Sequence, residues 1–342
     1  MAVENLLWRK ELMLDDQLLK LIESTSEYLE LENAVVEKDY YVTQVIHALS
    51  DTEDDYFRLV FAGGTCLAKA HKIVKRMSED VDFKIQIKKT ENNFSKTQFL
   101  KRLKEFRALI TSKLAIPGLT IGEPVVRNEA QYSKIEINYP SIFPVSARLR
   151  PHILLEFTLS DVRLSIENLE IKTLIEDTIE NIVIFKQPKT QCVSINETAI
   201  EKWVGLTRRI MAIKRGYHHD DKTLIRHVYD LNAIKKSGKF NTDFFVLAKT
   251  IVQHDATQFK NQHAEYSADP AGEIRLSLGL LRTNPHWKER YYEFVETMVY
   301  DNTTVLAYES AIDVLEEMSG EIMSLLDCSA IEDSKREEIL VF

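Results

Sequence analysis

Residues Phe61–Ile87, with the sequence FAGGTCLAKAHKIVKRMSEDVDFKIQI, contain the pattern that decides the fold. The run Arg58–Ala62 is rich in β-forming residues and ends at Gly63–Gly64. Thr65–Arg76 has the pattern of a helix, and Val81–Ile87 alternates apolar and polar residues as a half-buried strand does. The stretch therefore predicts a strand, a glycine turn, a helix and a second strand, in that order.

The flanking sequence extends this pattern into a mixed α/β region. We expect two amphipathic helices before it, at Glu4–Leu31 with a break and at Asn33–Ser50, and a helix after it at Ser95–Leu114. Prolines punctuate the region that follows, where the texture changes to strands. Four strands are expected there, at Leu119–Val126, Tyr132–Tyr139, Ile153–Thr158 and Ile182–Phe185.

The last part of the chain is almost entirely helical in pattern. Asn196 is predicted to be the N-cap of a helix at Glu197–Arg215, and Gly238 to end the next helix. Only 10 glycines and 8 prolines occur among 342 residues, which also favours helix. We therefore predict an α+β protein with a mixed-sheet α/β domain over residues 1–190 and a helical domain over residues 191–342.

Composition excludes several classes of protein. No apolar run approaches the roughly 18 residues of a membrane-spanning helix, and the N-terminus lacks the basic flank and apolar stretch of a secretory signal. Three widely spaced cysteines form neither a disulfide framework nor a zinc motif, so we expect a cytoplasmic protein with no membrane partner. The net charge of −9 disfavours a dedicated DNA-coating protein, although local basic patches can still bind phosphates.

Two aspartates give the Phe61–Ile87 stretch its chemical interest. Asp80 and Asp82 are two apart at the start of a strand, so both carboxylates point to one face. Such a pair favours a hard cation between the acids, and Mg²⁺ suits carboxylates combined with substrate phosphates. Gly63–Gly64 would let a phosphate approach the backbone at the start of the following helix. The alternatives are a solvated strand face and an ordinary tight turn.

Glu156 is our candidate for a third carboxylate at the same metal. It lies in the strand sequence HILLEFTLS, where an unpaired acid among apolar neighbours would be unfavourable. A metal ion would remove that cost, and so would a salt bridge to Arg148 or Arg150. The sequence leaves both interpretations open.

Four segments together resemble a known family. G-G-T-C-L-A-K followed by R-M-S-E-D-V-D-F is similar to the first motif of the AbiEii/AbiGii toxin nucleotidyltransferases, which belong to the polymerase-β-like superfamily. Val36–Ile46, VEKDYYVTQVI, resembles the lead-in helix of that family. Ile200–Arg209, IEKWVGLTRR, and Arg226–Leu231, RHVYDL, resemble two later motifs. The resemblance covers about residues 30–240, and the SEDxD motif is its most specific part.

The resemblance implies roles for particular residues. Asp80 and Asp82 would hold the metal, Lys202 would contact the triphosphate, and Asp230 would be the late catalytic aspartate. The predicted catalytic residues are thus Asp80, Asp82, Lys202 and Asp230, and the predicted metal ligands are Asp80, Asp82 and Glu156. The predicted nucleotide-binding residues are Gly63, Gly64, Thr65, Lys69, Arg76, Ser78, Lys202 and Arg209.

The sequence departs from the family pattern in two places. His227 stands where an aspartate is commoner, and the stretch IMAIKRGYHHDDKTLI lies between Arg209 and Arg226. Its adjacent histidines, His218 and His219, lack a supporting ligand spacing, so we interpret this insertion as a loop.

The implied activity is transfer of a nucleoside monophosphate from an NTP to an acceptor, with Mg²⁺ or Mn²⁺ as cofactor. The resemblance further implies the toxin of a bacterial toxin–antitoxin or phage-defence pair, a cognate antitoxin, and the 3′ end of tRNA as acceptor. Two alternatives stay open: a protein or small-molecule hydroxyl as acceptor, and a non-catalytic nucleotide-binding partner protein. One set of cations fits either a basic wall facing the acceptor or an ordinary charged surface; its members are Lys69, Lys72, Lys75, Arg76, Lys84, Lys88 and Lys89.

Overall fold

The computed structural model describes residues 2–78, 80–88, 94–144, 149–185, 189–239, 243–301, 303 and 305–339, and for residues 2–15, 243–246 and 325–339 it describes the backbone alone. The chain forms two compact units. The first comprises Met1–Lys72, Met77–Val162 and Ile166–Val193, and the second comprises Ile73–Arg76, Arg163–Ser165 and Ser194–Phe342. Among the described residues, no helix is both long and apolar enough to cross a bilayer.

The first unit is a mixed sheet with helices. Its helices are α1 (Ala2–Leu29), α2 (Asn33–Leu49), α3 (Gly63–Lys69), α4 (Lys96–Lys113) and α5 (Leu174–Thr178). Its strands are β1 (Phe57–Ala62), β2 (Asp80–Ile87), β3 (Thr120–Ile121), β4 (Val125–Arg127), β5 (Tyr132–Asn138), β6 (Ile153–Leu159), β7 (Glu167–Glu170) and β8 (Lys189–Cys192). The sheet order is β3-β5-β6-β2-β1-β8-β7, with β4 paired to β5.

Strand β2 lies in the middle of this sheet and has one neighbour of each kind. It pairs antiparallel with β1, with Asp82 opposite Ala62, and parallel with β6, with Asp82 opposite Glu156. Pairs β1–β8 and β2–β6 are parallel and the others antiparallel, so the predicted mixed sheet and α+β class are confirmed.

The two faces of β2 have opposite characters. Val81, Phe83 and Ile85 are buried in the main hydrophobic core, which also contains Leu103 and Phe106 of α4. Side chains alternate along a strand, so Asp80 and Asp82 point to the other face. The apolar residues therefore fix the register, and the register fixes where the two acids lie.

Four predicted elements of this unit are wrong in extent or kind. The strand expected at Leu119–Val126 is two short strands, β3 and β4. The helix after the glycines ends at Lys69 rather than Arg76, because Lys72 has φ +56°, outside the helical region. Helix α1 runs without the expected break. Ile182–Phe185 is not a strand, because the amides of Ile184 and Phe185 donate to the Glu176 carboxylate at 2.9 and 3.3 Å. Strands β7 and β8 were not predicted.

The second unit is helical. Its helices are α6 (Ile195–Lys214), α7 (Arg226–Lys236), α8 (Asp243–Gln258), α9 (Ala264–Ala268), α10 (Pro270–Thr283), α11 (Pro285–Met298) and α12 (Tyr308–Ile339), with a 3₁₀ turn at Lys222–Ile225. Ser194, rather than Asn196, is the N-cap of α6, because its hydroxyl accepts from the amide of Glu197 at 3.3 Å. Gly238 ends α7 with φ +68°, as predicted.

Candidate active site

The carboxylate of Asp82 rests against Gly63, and this contact explains the glycine. A Cβ built on Gly63 would lie 1.9 Å from Asp82 Oδ2, and Gly63 has φ +75°. Only glycine meets both conditions, because any other residue would clash with the acid and strain the backbone. The glycine predicted to serve a phosphate thus has a demonstrable second use, which is to make room for the second aspartate.

Two hydroxyls hold the start of β2. The buried Thr65 Oγ1 donates to the main-chain oxygen of Asp80, and the hydroxyls of Thr65 and Ser78 lie 2.9 Å apart. A hydroxyl has one proton, so Ser78 donates to Thr65 while Thr65 donates to Asp80. Both predicted nucleotide-binding hydroxyls therefore fix the backbone that carries Asp80, and their contact with a nucleotide stays a prediction.

Lys69 lies in an ion pair with an acid of the lead-in helix. Its Nζ contacts Asp39 Oδ1, and the two side chains are only 8 % and 15 % exposed. Asp39 Oδ2 also accepts the amide of Leu174 at 2.7 Å, at the start of α5. Lys69 thus links α3 to α2, and its predicted contact with the nucleotide is untested.

Glu156 lies next to Asp82 across the parallel pair β2–β6, so the two acids share a face. The Tyr132 hydroxyl donates to Glu156 Oε1, and burial together with this carboxylate raises the pKa of Tyr132. Among the described residues, no group of three or more His, Cys, Asp and Glu side chains has metal-binding geometry. The predicted ligands Asp80 and Asp82 have the carboxylate oxygens that Mg²⁺ takes together with phosphate and water.

Three successive charged residues of α2, Glu37, Lys38 and Asp39, hold two connections, the one before β6 and the one before α5. Glu37, 1 % exposed, accepts from Ser141 Oγ at 2.6 Å and from the amide of Ile142 at 2.7 Å. Lys38 Nζ donates to the main-chain oxygen of Arg150 at 2.9 Å. With Asp39 on Leu174, the three charges of α2 fix the loops that precede β6 and α5.

Arg150, which the sequence analysis named only as a possible ion-pair partner of Glu156, contacts Asp80. Its Nη1 lies 2.5 Å from Asp80 Oδ1. The sequence left open an ion pair of Glu156 with either Arg150 or Arg148, and Arg148 lies outside the described residues. The guanidinium thus contacts a predicted metal ligand directly.

The second unit contains a buried cluster of three charges. Arg76 Nε and Nη2 lie 2.7 Å from Asp230 Oδ1 and Oδ2, and Lys202 Nζ lies 2.8 Å from Oδ2. The side chains of Arg76, Lys202 and Asp230 are 1 %, 8 % and 0 % exposed. Two motifs predicted to work together, on α6 and α7, thus meet here with a residue from the Phe61–Ile87 stretch.

The charges of this cluster shift one another's protonation. Burial alone would raise the pKa of Asp230, but Arg76 and Lys202 outweigh it and hold this pKa well below its usual range. Burial lowers the pKa of Lys202, with Arg76 and Arg226 adding to the effect and Asp230 opposing it. Burial and the cations Lys202 and Arg226 also lower the pKa of His227, so this imidazole is neutral at neutral pH.

Arg209 and the insertion that follows it are the other predicted features of this unit. Arg209 Nη2 contacts Asp221, whose other oxygen accepts the amide of Thr223 at 2.9 Å. In the insertion, α6 continues to Lys214, and the rest is the predicted loop with a 3₁₀ turn. His218 Nδ1 lies 2.8 Å from the main-chain oxygen of His219.

A comparison with models of known protein families found a match for this chain. A sequence model of the family described as "Nucleotidyl transferase AbiEii toxin, Type IV TA system" matches residues 47–316, well over half of the chain. The matched span includes Asp80, Asp82, Lys202 and Asp230, and it begins after the Glu37–Lys38–Asp39 motif. No curated protein matches this sequence.

Proposed function

Since this chain belongs to the AbiEii family of nucleotidyl transferase toxins of type IV toxin–antitoxin systems, we propose that it transfers a nucleoside monophosphate from an NTP to an acceptor in a Mg²⁺-dependent reaction. Mn²⁺ would serve in place of Mg²⁺. The observation that carries the proposal is that Asp80 and Asp82 lie on one face of β2. Gly63, which has no side chain, leaves room for the carboxylate of Asp82.

Asp80 and Asp82 would hold the ion, and Glu156, beside Asp82 in the register, is the proposed third carboxylate. A bound Mg²⁺ would supply charge neutralisation for the triphosphate and its developing leaving group. The chain's own contribution is positioning: the Thr65 and Ser78 hydroxyls and the β1–β2 pairing fix both acids before any substrate binds.

Lys202 is the proposed contact of the triphosphate. A lysine ammonium is a compact charge on a flexible stem, and Asp230 holds this one in place at 2.8 Å. Asp230 itself is poorly suited to take a proton, because both of its oxygens accept from cations and its pKa is far below the usual range. We assign Asp230 to positioning Lys202 and Arg76. Gly64, Lys69, Arg76 and Arg209 stay proposed nucleotide contacts from the resemblance.

The proposed acceptor is the 3′ end of tRNA, as the resemblance implies. The basic wall considered above gives this little support: Lys69, Lys72, Arg76 and Lys88 all lie in ion pairs, and Lys89 is outside the described residues. Better support comes from an open groove of about 730 Å³ in the second unit. It is lined by Met211, Lys214, Arg215, Tyr217, Arg275, Leu276, Gly279, Leu280 and Thr283. Lys214 and Arg275 beside the exposed Tyr217 suit a nucleic-acid strand, whereas Arg215 lies in ion pairs with Glu265 and Glu273.

The proposed biological setting is a bacterial toxin–antitoxin pair that acts in the cytoplasm and defends against phage. The family implies a cognate antitoxin as partner. A small neighbouring gene that encodes a protein able to relieve the chain's toxicity would support this setting. Toxicity that no neighbouring gene relieves would contradict it.

The activity is tested by labelling. Purified protein is incubated with each NTP labelled at the α-phosphate, with Mg²⁺, and with total RNA or total protein as acceptor. We expect label in the tRNA band and none with Asp80→Ala, whereas Lys101→Ala on the exposed face of α4 should label as the wild type does. Label in protein would support the alternative acceptor. No label with any acceptor, together with no binding of Mg²⁺–NTP, would contradict the enzymatic proposal.

A further inference from the structure

Arg150 has a main-chain oxygen held by a buried lysine and a side chain that is partly exposed to solvent. Its main-chain oxygen accepts from Lys38 Nζ at 2.9 Å, and Lys38 is 4 % exposed on α2. The neighbouring Glu37 binds Ser141 and Ile142 earlier in the same connection to β6. The Arg150 side chain is 44 % exposed. The residue is therefore held at one place while its guanidinium keeps access to solvent.

The ion pair between Arg150 and Asp80 is short but easily broken. Nη1 lies 2.5 Å from Oδ1, where the Asp80 side chain is 15 % exposed. Ion pairs with one half-exposed partner contribute little to stability, because solvent screens them and the long side chain loses entropy. The fold of this unit rests on its apolar core rather than on this pair, so the guanidinium can change partners at low cost.

A metal ion at Asp80 and the guanidinium of Arg150 would compete for one carboxylate. Both are cations, so each weakens the hold of the other on the same oxygen. A nucleoside triphosphate changes this balance, because its phosphates carry enough negative charge for both cations. Arginine suits the change of partner, since its planar fork binds phosphate oxygens in pairs.

We propose that Arg150 is a further nucleotide-binding residue: it holds Asp80 until nucleotide binds and then moves its guanidinium to the triphosphate. This inference rests on the proposed function. It makes metal and nucleotide binding cooperative, because the metal alone must displace an arginine, whereas the metal with nucleotide gives that arginine a new partner.

The test measures binding in two arms, with transfer prevented. Mn²⁺ is titrated alone, by calorimetry or by its paramagnetic resonance signal. The four α,β-methylene nucleoside triphosphates, which cannot be cleaved at the reacting bond, are then titrated with Mn²⁺ present. The variants are Arg150→Ala, Arg150→Lys and the charge-matched control Lys101→Ala, and their folding is checked by thermal unfolding.

In Arg150→Ala, the affinity for Mn²⁺ alone should rise, whereas the affinity for the nucleotide with Mn²⁺ should fall. For Arg150→Ala we expect Mn²⁺ alone to bind about tenfold more tightly, because a competing cation is gone. The nucleotide with Mn²⁺ should bind roughly 10- to 100-fold more weakly, because alanine cannot donate charge-assisted hydrogen bonds to a phosphate. Arg150→Lys should lie between Arg150→Ala and the wild type in the nucleotide arm, and Lys101→Ala should match the wild type in both.

Other outcomes separate the inference from the proposed function. If wild-type protein binds both probes but Arg150→Ala binds them as the wild type does, or weakens both, Arg150 is a structural residue and the inference is wrong. If the wild type binds neither Mn²⁺ nor nucleotide, the proposed function fails and the inference fails with it.

Discussion

The guanidinium of Arg76 donates two hydrogen bonds of 2.7 Å to the carboxylate of Asp230, and both side chains are almost fully buried. The pair is 154 residues apart in sequence. Lys202 adds a second cation to the same carboxylate. Two buried cations thus contact the one carboxylate of Asp230, so loss of its charge would affect both of them.

Asp230→Asn should destabilise the protein strongly. Removing one partner of a buried ion pair leaves uncompensated charge, which typically costs about 3–5 kcal/mol of unfolding free energy. Urea unfolding measures this change. The control is Asp313→Asn on α12, which breaks a contact with Arg282 in which Asp313 is 66 % exposed, and should cost at most about 1 kcal/mol. Equal losses in the two variants would show that the cluster is not held by the charge of Asp230.

The same pair predicts a dependence on acid. A carboxyl whose pKa is lower in the folded state contributes stability that is fully present above its unfolded pKa of about 3.9 and is lost as the pH falls through the folded value. Arg76 and Lys202 lower the pKa of Asp230 in the folded state, although burial alone would raise it. The difference in unfolding free energy between the wild type and Asp230→Asn should thus shrink as the pH falls below about 4.

Nucleotide affinity should begin to fall at a lower pH than an exposed lysine would give. Burial lowers the pKa of Lys202 below its ordinary value of 10.5, so its ammonium loses its charge earlier than an exposed lysine does as the pH rises. The dissociation constant of an α,β-methylene NTP should therefore rise with pH before 10.5 is reached. Lys202→Arg should remove this slope, because arginine stays charged, while Lys101→Arg should keep it. A slope that persists in Lys202→Arg would assign the titration to another group.

Gly63→Ala should damage the metal site more than its backbone strain explains. A left-handed φ costs a non-glycine residue about 1–2 kcal/mol, and Gly216 with φ +77° is the matched control, since a Cβ there meets no atom within 4 Å. Gly63→Ala adds a clash with Asp82 Oδ2. We expect both variants to lose stability but only Gly63→Ala to lose Mn²⁺ binding. Unchanged Mn²⁺ binding in folded Gly63→Ala would separate Asp82 from the metal.

The local parts of this site were predictable, and the reason is periodicity. Strand β2 shows its two faces in the alternation from Val81 to Ile87, so the placement of Asp80 and Asp82 on one side follows from the sequence alone. The predicted helix extended to Arg76, beyond the observed end of α3 at Lys69, because the residues up to Arg76 have helical spacing. Its end depends on the positive φ of Lys72, which spacing does not reveal.

The long-range pairs were not predictable, because charge patterns do not specify partners. Arg150 and Asp80 are 70 residues apart, and Lys38 and Arg150 are 112 apart. From the sequence alone, many other pairs of a lysine or arginine with an acidic residue are equally plausible. One signal was present: three successive charges, Glu37–Lys38–Asp39, directly follow the apolar residues Ala34–Val36 of α2, and burying a charge is unfavourable unless it has a partner.

Asp82→Asn and Glu156→Gln should separate the roles of the two neighbouring acids. The first should abolish binding of Mn²⁺, because Asp82 is one of the two aspartates proposed to hold it. The second should weaken Mn²⁺ binding by less than about tenfold, because Mg²⁺-type ions need only one or two carboxylates and Glu156 already accepts from Tyr132. Calorimetry with Mn²⁺ measures both. Equal losses would make Glu156 a full ligand.

Substitutions in the groove between α6 and α10 should weaken binding of the RNA acceptor and leave nucleotide binding unchanged. In Lys214→Glu/Arg275→Glu, we expect tRNA labelling to fall while binding of α,β-methylene NTPs stays unchanged, because these cations line the groove of the second unit. For each cation that no longer binds a phosphate, the salt dependence of RNA binding should fall by about one in log–log slope.

The control for this double variant is Lys236→Glu/Lys260→Glu, which makes the same change in net charge at exposed positions outside the groove. If both double variants weaken RNA binding equally, the effect comes from total charge, and the groove is not the acceptor site. If only the groove variant weakens it, and its salt slope falls, the acceptor's phosphates lie along Lys214 and Arg275.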